Sequence, residues 1–64
     1  MEAQARKRHR LHQEMLDRGS ISVQEGSDIL GESKETVRAL LKDLVRSEAA
    51  RAAGNTRARR YVPR

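Results

Sequence analysis

The sequence predicts an α+β fold that is mostly helical, with three helices followed by a C-terminal β-hairpin. Three local signals lead to this expectation. Ser22 followed by Glu25 forms a capping box, which starts a helix at the next residue. Gly31 can turn the chain, and Ser33 can cap another helix directly after it. Gly54-Asn55, between two short segments, is typical of a hairpin turn.

The composition allows one small domain with a thin core. The chain has 64 residues, and eight of its 23 hydrophobic residues are alanine, so Leu, Ile, Val and Met must form nearly all of the core. Tyr61 is the only aromatic residue. The absence of cysteine excludes a disulfide framework and a thiolate metal site. Because no apolar run approaches a membrane span and no secretory signal is visible, we expect a cytoplasmic, nucleoid-associated protein.

The first two helices follow from apolar spacing. The first is predicted over about Glu2–Arg18, with Leu11, Met15 and Leu16 directed toward the core, and the second over about Val23–Leu30. Ile21, between them, is expected to add one short strand to a sheet formed elsewhere.

The third helix has the strongest pattern. It is predicted over about 34–47, and its apolar residues follow the helical period without a break: Val37, Leu40, Leu41, Leu44 and Val45. After it, residues of about 49–62 are expected to form two strands. An alternative is that the third helix continues through Ala53, because alanine favours helix over strand.

Residues 22–44, SVQEGSDILGESKETVRALLKDL, have the spacing of a helix-turn-helix, whose second helix usually enters the DNA major groove. A hairpin directly after that helix is the wing of a winged helix. The sequence therefore predicts residues 1–64 as one winged helix-turn-helix domain. Ile21 and the two wing strands would form a three-stranded sheet.

The segment Ser20–Val45, SISVQEGSDILGESKETVRALLKDLV, resembles the N-terminal DNA-binding domain of DeoR-type bacterial repressors. Those domains carry an Ile-Ser-Val start, an S-K-E-T-V-R recognition helix and a glycine-containing wing. The resemblance implies a winged-helix fold, double-stranded DNA as the ligand, and contacts from the residues matching Ser33, Lys34, Thr36 and Arg38.

The sequence departs from that family at several positions. Gly26 stands where the family usually has a core leucine, Ala39 where a second arginine would follow, and Ser47-Glu48 where Glu-Gly is usual. Glycine in mid-helix is expected to cost about 0.5–1 kcal/mol relative to alanine, before any missing core packing is counted. The match stops at the domain, since no sugar-phosphate effector domain follows, and we do not expect a complete repressor of that type.

The charge is unevenly distributed. The net charge is +5, but residues 20–33 sum to −3, whereas residues 49–64 sum to +5 and contain no acidic residue. Such a balance suits an anionic partner, although a solvated basic surface is the simpler interpretation of a charge run taken alone.

A row of basic residues recurs every four positions along the third helix: Lys34, Arg38, Lys42 and Arg46. Lys34 and Arg38 are the candidates for base-edge or adjacent phosphate contact, and arginine suits guanine best. Lys42 and Arg46 would lie farther out, near phosphates. Alternatively, the row is a solvated face on which Arg38 pairs with Asp43 or Glu35.

Further candidates lie at the cap, the wing and the first helix. Ser33 and Thr36 have a structural role as cap and first-turn residues, which is compatible with a phosphate contact. The predicted wing tip and its flank include Asn55, Thr56, Arg57 and Arg59. An arginine there can enter the minor groove or contact a phosphate. Alternatively, these residues form a mobile basic loop. A second basic cluster, again solvated or touching flanking phosphate, consists of Arg6, Lys7, Arg8 and Arg10.

The leading functional expectation is sequence-specific double-stranded DNA binding, in transcriptional regulation or as a DNA-architecture factor. Alternatives are a winged-helix protein-interaction or assembly module, and structured-RNA binding. We expect no metal site, because His9 and His12 lack a carboxylate at ligand spacing. We also expect no enzyme activity or cofactor, because the sequence shows no glycine-rich phosphate loop, nucleophile elbow or acidic pair. We expect a monomer in free solution, paired on adjacent DNA sites or through a partner protein.

Overall fold

A computed structural model describes residues 2–54 and 59–64 of the chain. It contains three helices, α1 (Glu2–Arg18), α2 (Val23–Leu30) and α3 (Lys34–Arg46), followed by the strands β1 (Ala50–Ala53) and β2 (Arg60–Pro63). The predicted mostly helical α+β class, with three helices and an antiparallel strand pair, is confirmed. No helix in the described ranges is long and apolar enough to cross a membrane.

The start of α2 is fixed by the capping box. The Ser22 hydroxyl accepts a hydrogen bond from the Glu25 N–H at 3.1 Å, and the Glu25 carboxylate accepts one from the Ser22 N–H at 3.0 Å. These bonds satisfy two backbone donors that have no partner within the helix.

Gly31 ends α2 and redirects the chain toward α3. It lies in the left-handed region at φ 66°, where glycine has no steric penalty, and its N–H donates to the Ser27 carbonyl at 2.8 Å. The Ser27 hydroxyl donates to the Glu32 carbonyl at 2.6 Å. Ser33 then caps α3 by accepting from the Thr36 N–H at 3.3 Å.

The end of α3 excludes a helix that continues into the alanine-rich segment. Glu48 has φ 64°, the Glu48 N–H donates to the Val45 carbonyl, and the Ala49 N–H donates to the Leu44 carbonyl at 2.9 Å. This pair of bonds is a Schellman motif, which terminates a helix through one left-handed residue. The alternative of a helix through Ala53 is wrong, because the chain leaves the helical conformation at Glu48.

The sheet has two strands in the described residues, rather than the three predicted. β1 pairs antiparallel with β2, with Ala52 opposite Tyr61. Ile21 adds one bridge, in which its N–H and carbonyl bond to the carbonyl and N–H of Tyr61 at 2.8 and 2.7 Å. A longer third strand has no room, because α1 ends at Arg18 and Ser22 already caps α2.

The core is formed where the three helices meet the sheet. Its buried side chains come from α1, α3, the bridge and both strands: Leu11, Met15, Ile21, Val37, Leu40, Leu41, Leu44, Ala50 and Tyr61. Leu16 is not among them, since half of its surface is exposed. The prediction that Leu16 faces the core is wrong. It lies five positions after Leu11, about 140° around the helix axis.

Gly26 is buried at the junction of the three helices. A Cβ atom at this position would lie 2.7 Å from Val37 Cγ1 and 3.0 Å from Leu11 Cδ2. Those distances leave no room for a side chain, so a missing leucine here is not a packing defect. The glycine allows α2 to approach α1 and α3 closely.

Candidate nucleic-acid interface

An open cavity of about 510 Å³ lies between the start of α2, the exposed side of α3 and the start of β2. Arg38 and Lys42 reach it from α3, one helical turn apart, and Arg59 reaches it from the residue before β2. The other lining residues are Ser22, Val23, Gln24 and Tyr61. We call the set of Arg38, Lys42 and Arg59 the cationic cluster. Three of the nine residues proposed from sequence are therefore brought to one place.

Among residues 2–54 and 59–64, no acidic side chain lines this cavity. Four of the acidic residues are instead held in ion pairs elsewhere: Glu14 with Arg18, Glu25 with Arg60, Glu32 with Lys7, and Glu48 with Arg64. In the described parts of the chain, no member of the cationic cluster takes part in an ion pair. The positive charges of the cationic cluster are therefore not neutralised by ion pairs within the described residues.

The acidic residues of α3 line a different cavity from Arg38 and Lys42. Glu35 and Asp43 line a second, smaller cavity of about 280 Å³, together with Thr36, Ala39, Leu40 and Gln4 of α1. Arg38 pairs with neither carboxylate within the described residues, so the local ion pairs of the alternative interpretation are not formed there. α3 therefore contributes Arg38 and Lys42 to the larger cavity and its two acidic residues to the smaller one, which Gln4 of α1 also lines.

The remaining helix candidates are not part of the cluster. Thr36 lines the acidic cavity, and its hydroxyl lies 3.1 Å from that of Ser33, which caps α3. Lys34 is exposed at the first position of α3 but does not line the larger cavity. Asn55, Thr56 and Arg57, predicted at the wing tip, lie outside the described residues.

Arg60 has a structural role that the sequence did not indicate. Its Nε donates to the Ser20 hydroxyl at 2.8 Å, and its Nη2 donates to Glu25 Oε1 at 2.6 Å. The N–H of Ser22, with a smaller contribution from the Arg60 guanidinium, holds the pKa of Glu25 below 4.5, although partial burial opposes this. Since Glu25 and Arg60 are 35 positions apart, no local pattern could have revealed the contact.

The basic cluster of α1 is divided in a similar way. Lys7 pairs with Glu32 at 2.8 Å and thereby joins α1 to the turn between α2 and α3. Arg6, Arg8 and Arg10 are exposed, and no contact with another described residue assigns them a role. Within the described residues, no three histidine, aspartate or glutamate side chains come together as metal ligands.

The chain was compared with protein families, curated proteins and solved structures. No family model, curated protein or solved structure matches this chain.

Proposed function

We propose that this chain is a winged helix-turn-helix module that binds double-stranded DNA in a sequence-specific manner. α3 would act as the recognition helix and the β1–β2 hairpin as the wing. The observation that carries the proposal is the cationic cluster, in which two residues of α3 and one beside the hairpin line one open cavity that has no acidic side chain among its described lining residues. A phosphate backbone that runs past the start of α2 would meet three positive charges there.

The arrangement also suggests a division of roles. Arg38 lies nearer the N-terminal end of α3, the part of a recognition helix that contacts base edges, and its guanidinium can pair with guanine O6 and N7. Lys42 and Arg59, farther from that end, suit phosphate contacts. A recognition helix needs an exposed face of this kind, and both Arg38 and Lys42 are exposed.

The near absence of aromatic residues argues against binding to single strands, which depends on base stacking. Tyr61, the one aromatic residue, is buried in the core with 8% of its surface exposed. It is therefore not available as a stacking platform, and a double-stranded ligand is favoured.

Selection of bound sequences from a random duplex library tests the proposal, followed by anisotropy measurements on the selected duplex, a scrambled duplex and a structured RNA of equal length. We expect preference for the selected duplex, with a log–log salt slope of about −2 to −3 if the cationic cluster contacts two or three phosphates. Equal affinity for both duplexes would contradict sequence-specific binding. Tighter binding to the RNA would favour the alternative ligand.

A further inference from the structure

The two neighbouring arginines at the start of β2 have different surroundings. Arg59 is exposed and lines the cavity between α2 and α3. Arg60 is half-buried and donates to Ser20 and Glu25, which lie before α2 and within its first turn. One of the two charges is thus directed toward the cavity and the other toward the protein.

Arg60 belongs to a hydrogen-bond network centred on the capping box. Glu25 Oε1 accepts from the Ser22 N–H at 3.0 Å and from Arg60 Nη2 at 2.6 Å, while the Ser22 hydroxyl accepts from the Glu25 N–H. Ser22 itself lines the cavity. The network therefore connects the strand that follows Arg59 to one wall of the proposed DNA site.

Two attachments hold this strand near the start of α2. The bridge between Ile21 and Tyr61 holds the backbone of β2 through two hydrogen bonds. The Arg60 side chain adds a second attachment one residue closer to Arg59. Because Glu25 neutralises its guanidinium at 2.6 Å, Arg60 is a poor candidate for direct phosphate binding.

We propose that Arg60 is a positioning residue for DNA binding, which acts through Glu25 to hold Arg59 beside Arg38 and Lys42. This inference rests on the proposed function. It assigns the carboxylate of Glu25 a favourable role in binding a polyanion, although a negative charge near DNA ordinarily weakens binding.

That reversal of sign makes Glu25→Gln the informative variant. Glutamine is accepted at the third position of a capping box, so the start of α2 is retained while the charge that holds Arg60 is lost. Simple electrostatics predicts that the variant binds duplex DNA more tightly, because its net charge is more positive by one. Positioning predicts weaker binding.

The matched control is Asp28→Asn. Asp28 is exposed on the same helix, and its contact in the described residues is with Gln24. We expect the control to bind the selected duplex as tightly as the wild type or more tightly. Glu25→Gln should bind about threefold to fivefold more weakly, the size of effect that a partly exposed ion pair produces. Both variants are compared at a temperature where circular dichroism shows them to be folded.

A double-mutant cycle tests whether the effect passes through Arg59. In an Arg59→Met background, Glu25→Gln should change the affinity by less than about twofold, because the positioned side chain is gone. The inference is overturned if Glu25→Gln weakens binding by the same factor with and without Arg59. It is also overturned if Glu25→Gln binds the selected duplex as tightly as Asp28→Asn does. If Glu25→Gln does not fold, Arg60→Met against Arg51→Met, an exposed position on β1, supplies the same comparison.

A measurement without DNA separates this inference from the proposed function. Gln24 and Tyr61 lie on either side of the network, and the amide chemical shifts of both should change in Glu25→Gln. In Asp28→Asn the amide shift of Tyr61 should not change. Unchanged shifts at both positions would overturn the positioning role. If the wild type binds no duplex, the proposed function fails and the DNA role of Arg60 fails with it, whereas duplex binding with no loss in Glu25→Gln refutes the positioning role alone.

Discussion

Gly26 approaches Val37 so closely that a Cβ atom at residue 26 would lie 2.7 Å from Val37 Cγ1. Val37 is completely buried in α3, and its branched side chain has one strongly preferred rotamer in a helix. The contact therefore cannot relax by a simple rotation. The contact joins α2 to α3, the two helices of the proposed recognition motif.

Replacement of Gly26 with alanine should lower the free energy of unfolding, by up to about 2 kcal/mol. Helix propensity alone would favour alanine by about 1 kcal/mol, but overpacking typically costs about 1–3 kcal/mol and here cannot be relieved without moving Val37. Urea denaturation of the variant measures the difference.

The double mutant Gly26→Ala/Val37→Ala identifies the cause. Removing Val37 Cγ1 should make the combined loss smaller than the sum of the two single losses. Gly31→Ala is the control, because no atom lies within 4 Å of the added Cβ and its cost comes from the positive φ alone. Its loss should add to that of Val37→Ala. Stabilisation by Gly26→Ala would show that the helices have room to separate.

Glu48→Gly should stabilise the protein by about 1 kcal/mol. Glu48 adopts φ 64° at the end of α3, a conformation that costs a residue with a Cβ about 1–2 kcal/mol and glycine much less. The lost ion pair with Arg64 contributes little, because the atoms are 3.6 Å apart and the Glu48 side chain is 79% exposed.

Glu48→Ala is the matched control for that prediction. It removes the same carboxylate but keeps the Cβ, so its stability should remain within about 0.5 kcal/mol of the wild type. Thermal unfolding of the three proteins gives the comparison. Equal gains from glycine and alanine would attribute the effect to charge instead of backbone conformation.

Local signals predicted most of the helical framework. The capping box at Ser22, the left-handed Gly31 and the cap at Ser33 each act within a few residues, and the bounds of α2 in the structure agree with them. The end of α3 was harder to predict, because the residue with a positive φ is Glu48. Glycine at that position would have indicated a helix end, whereas glutamate does not.

Contacts between distant residues were not predictable in the same way. Leu16 follows Met15 and has core-like chemistry, but only the docking direction of α1 decides which of the two is buried. Arg60 looked like one more positive charge in a basic C-terminal segment. Its pairing with Ser20 and Glu25 depends on β2 crossing the N-terminal end of α2, which no spacing in the sequence encodes.

The pH dependence of stability should include a contribution from Glu25. Its pKa is lower in the folded chain than the ordinary value of 4.5, mainly because the Ser22 N–H donates to its ionised form. The resulting stabilisation is complete above pH 4.5 and is lost as the pH falls through the lower folded pKa. Glu25→Gln should therefore lose less stability than the wild type on acidification below pH 4.5.

Urea denaturation between pH 3 and 7 tests this expectation. Asp17→Asn serves as the comparison, because Asp17 is exposed on α1 and takes part in no ion pair of the described residues. It should retain the acid sensitivity of the wild type. If the free energy of unfolding of Glu25→Gln and of the wild type depends on pH in the same way, Glu25 does not contribute to the acid sensitivity.

Arg38→Ala should weaken binding to the selected duplex by about 1–3 kcal/mol and relax the preference at one base pair. Lys42→Ala should weaken binding to all duplexes alike and reduce the salt slope by about 1, as expected for a phosphate contact. Arg8→Ala, an exposed change of equal charge on α1, controls for net charge. Equal losses on selected and random duplexes for Arg38→Ala would show that Arg38 does not read sequence.

The free protein should be a monomer at micromolar concentration. The large apolar side chains exposed in the described residues are Leu16, at 50%, and Val45, at 36%. A stable interface buries about 800 Å² on each partner around an apolar centre, which two partly exposed side chains do not supply. Leu16 is surrounded on its face of α1 by polar residues such as His9 and Gln13, so isolated exposure of this kind is ordinary.

Sedimentation velocity of the wild type and Leu16→Ala tests the expectation. Both should sediment as monomers, and the substitution should change the free energy of unfolding by less than about 0.5 kcal/mol, because Leu16 is outside the core. A dimer that Leu16→Ala dissociates would show that the exposed face of α1 is an interface between copies. In that case two modules would reach DNA already paired, and the spacing of half-sites in the selected duplexes would be fixed by α1 instead of by adjacent binding.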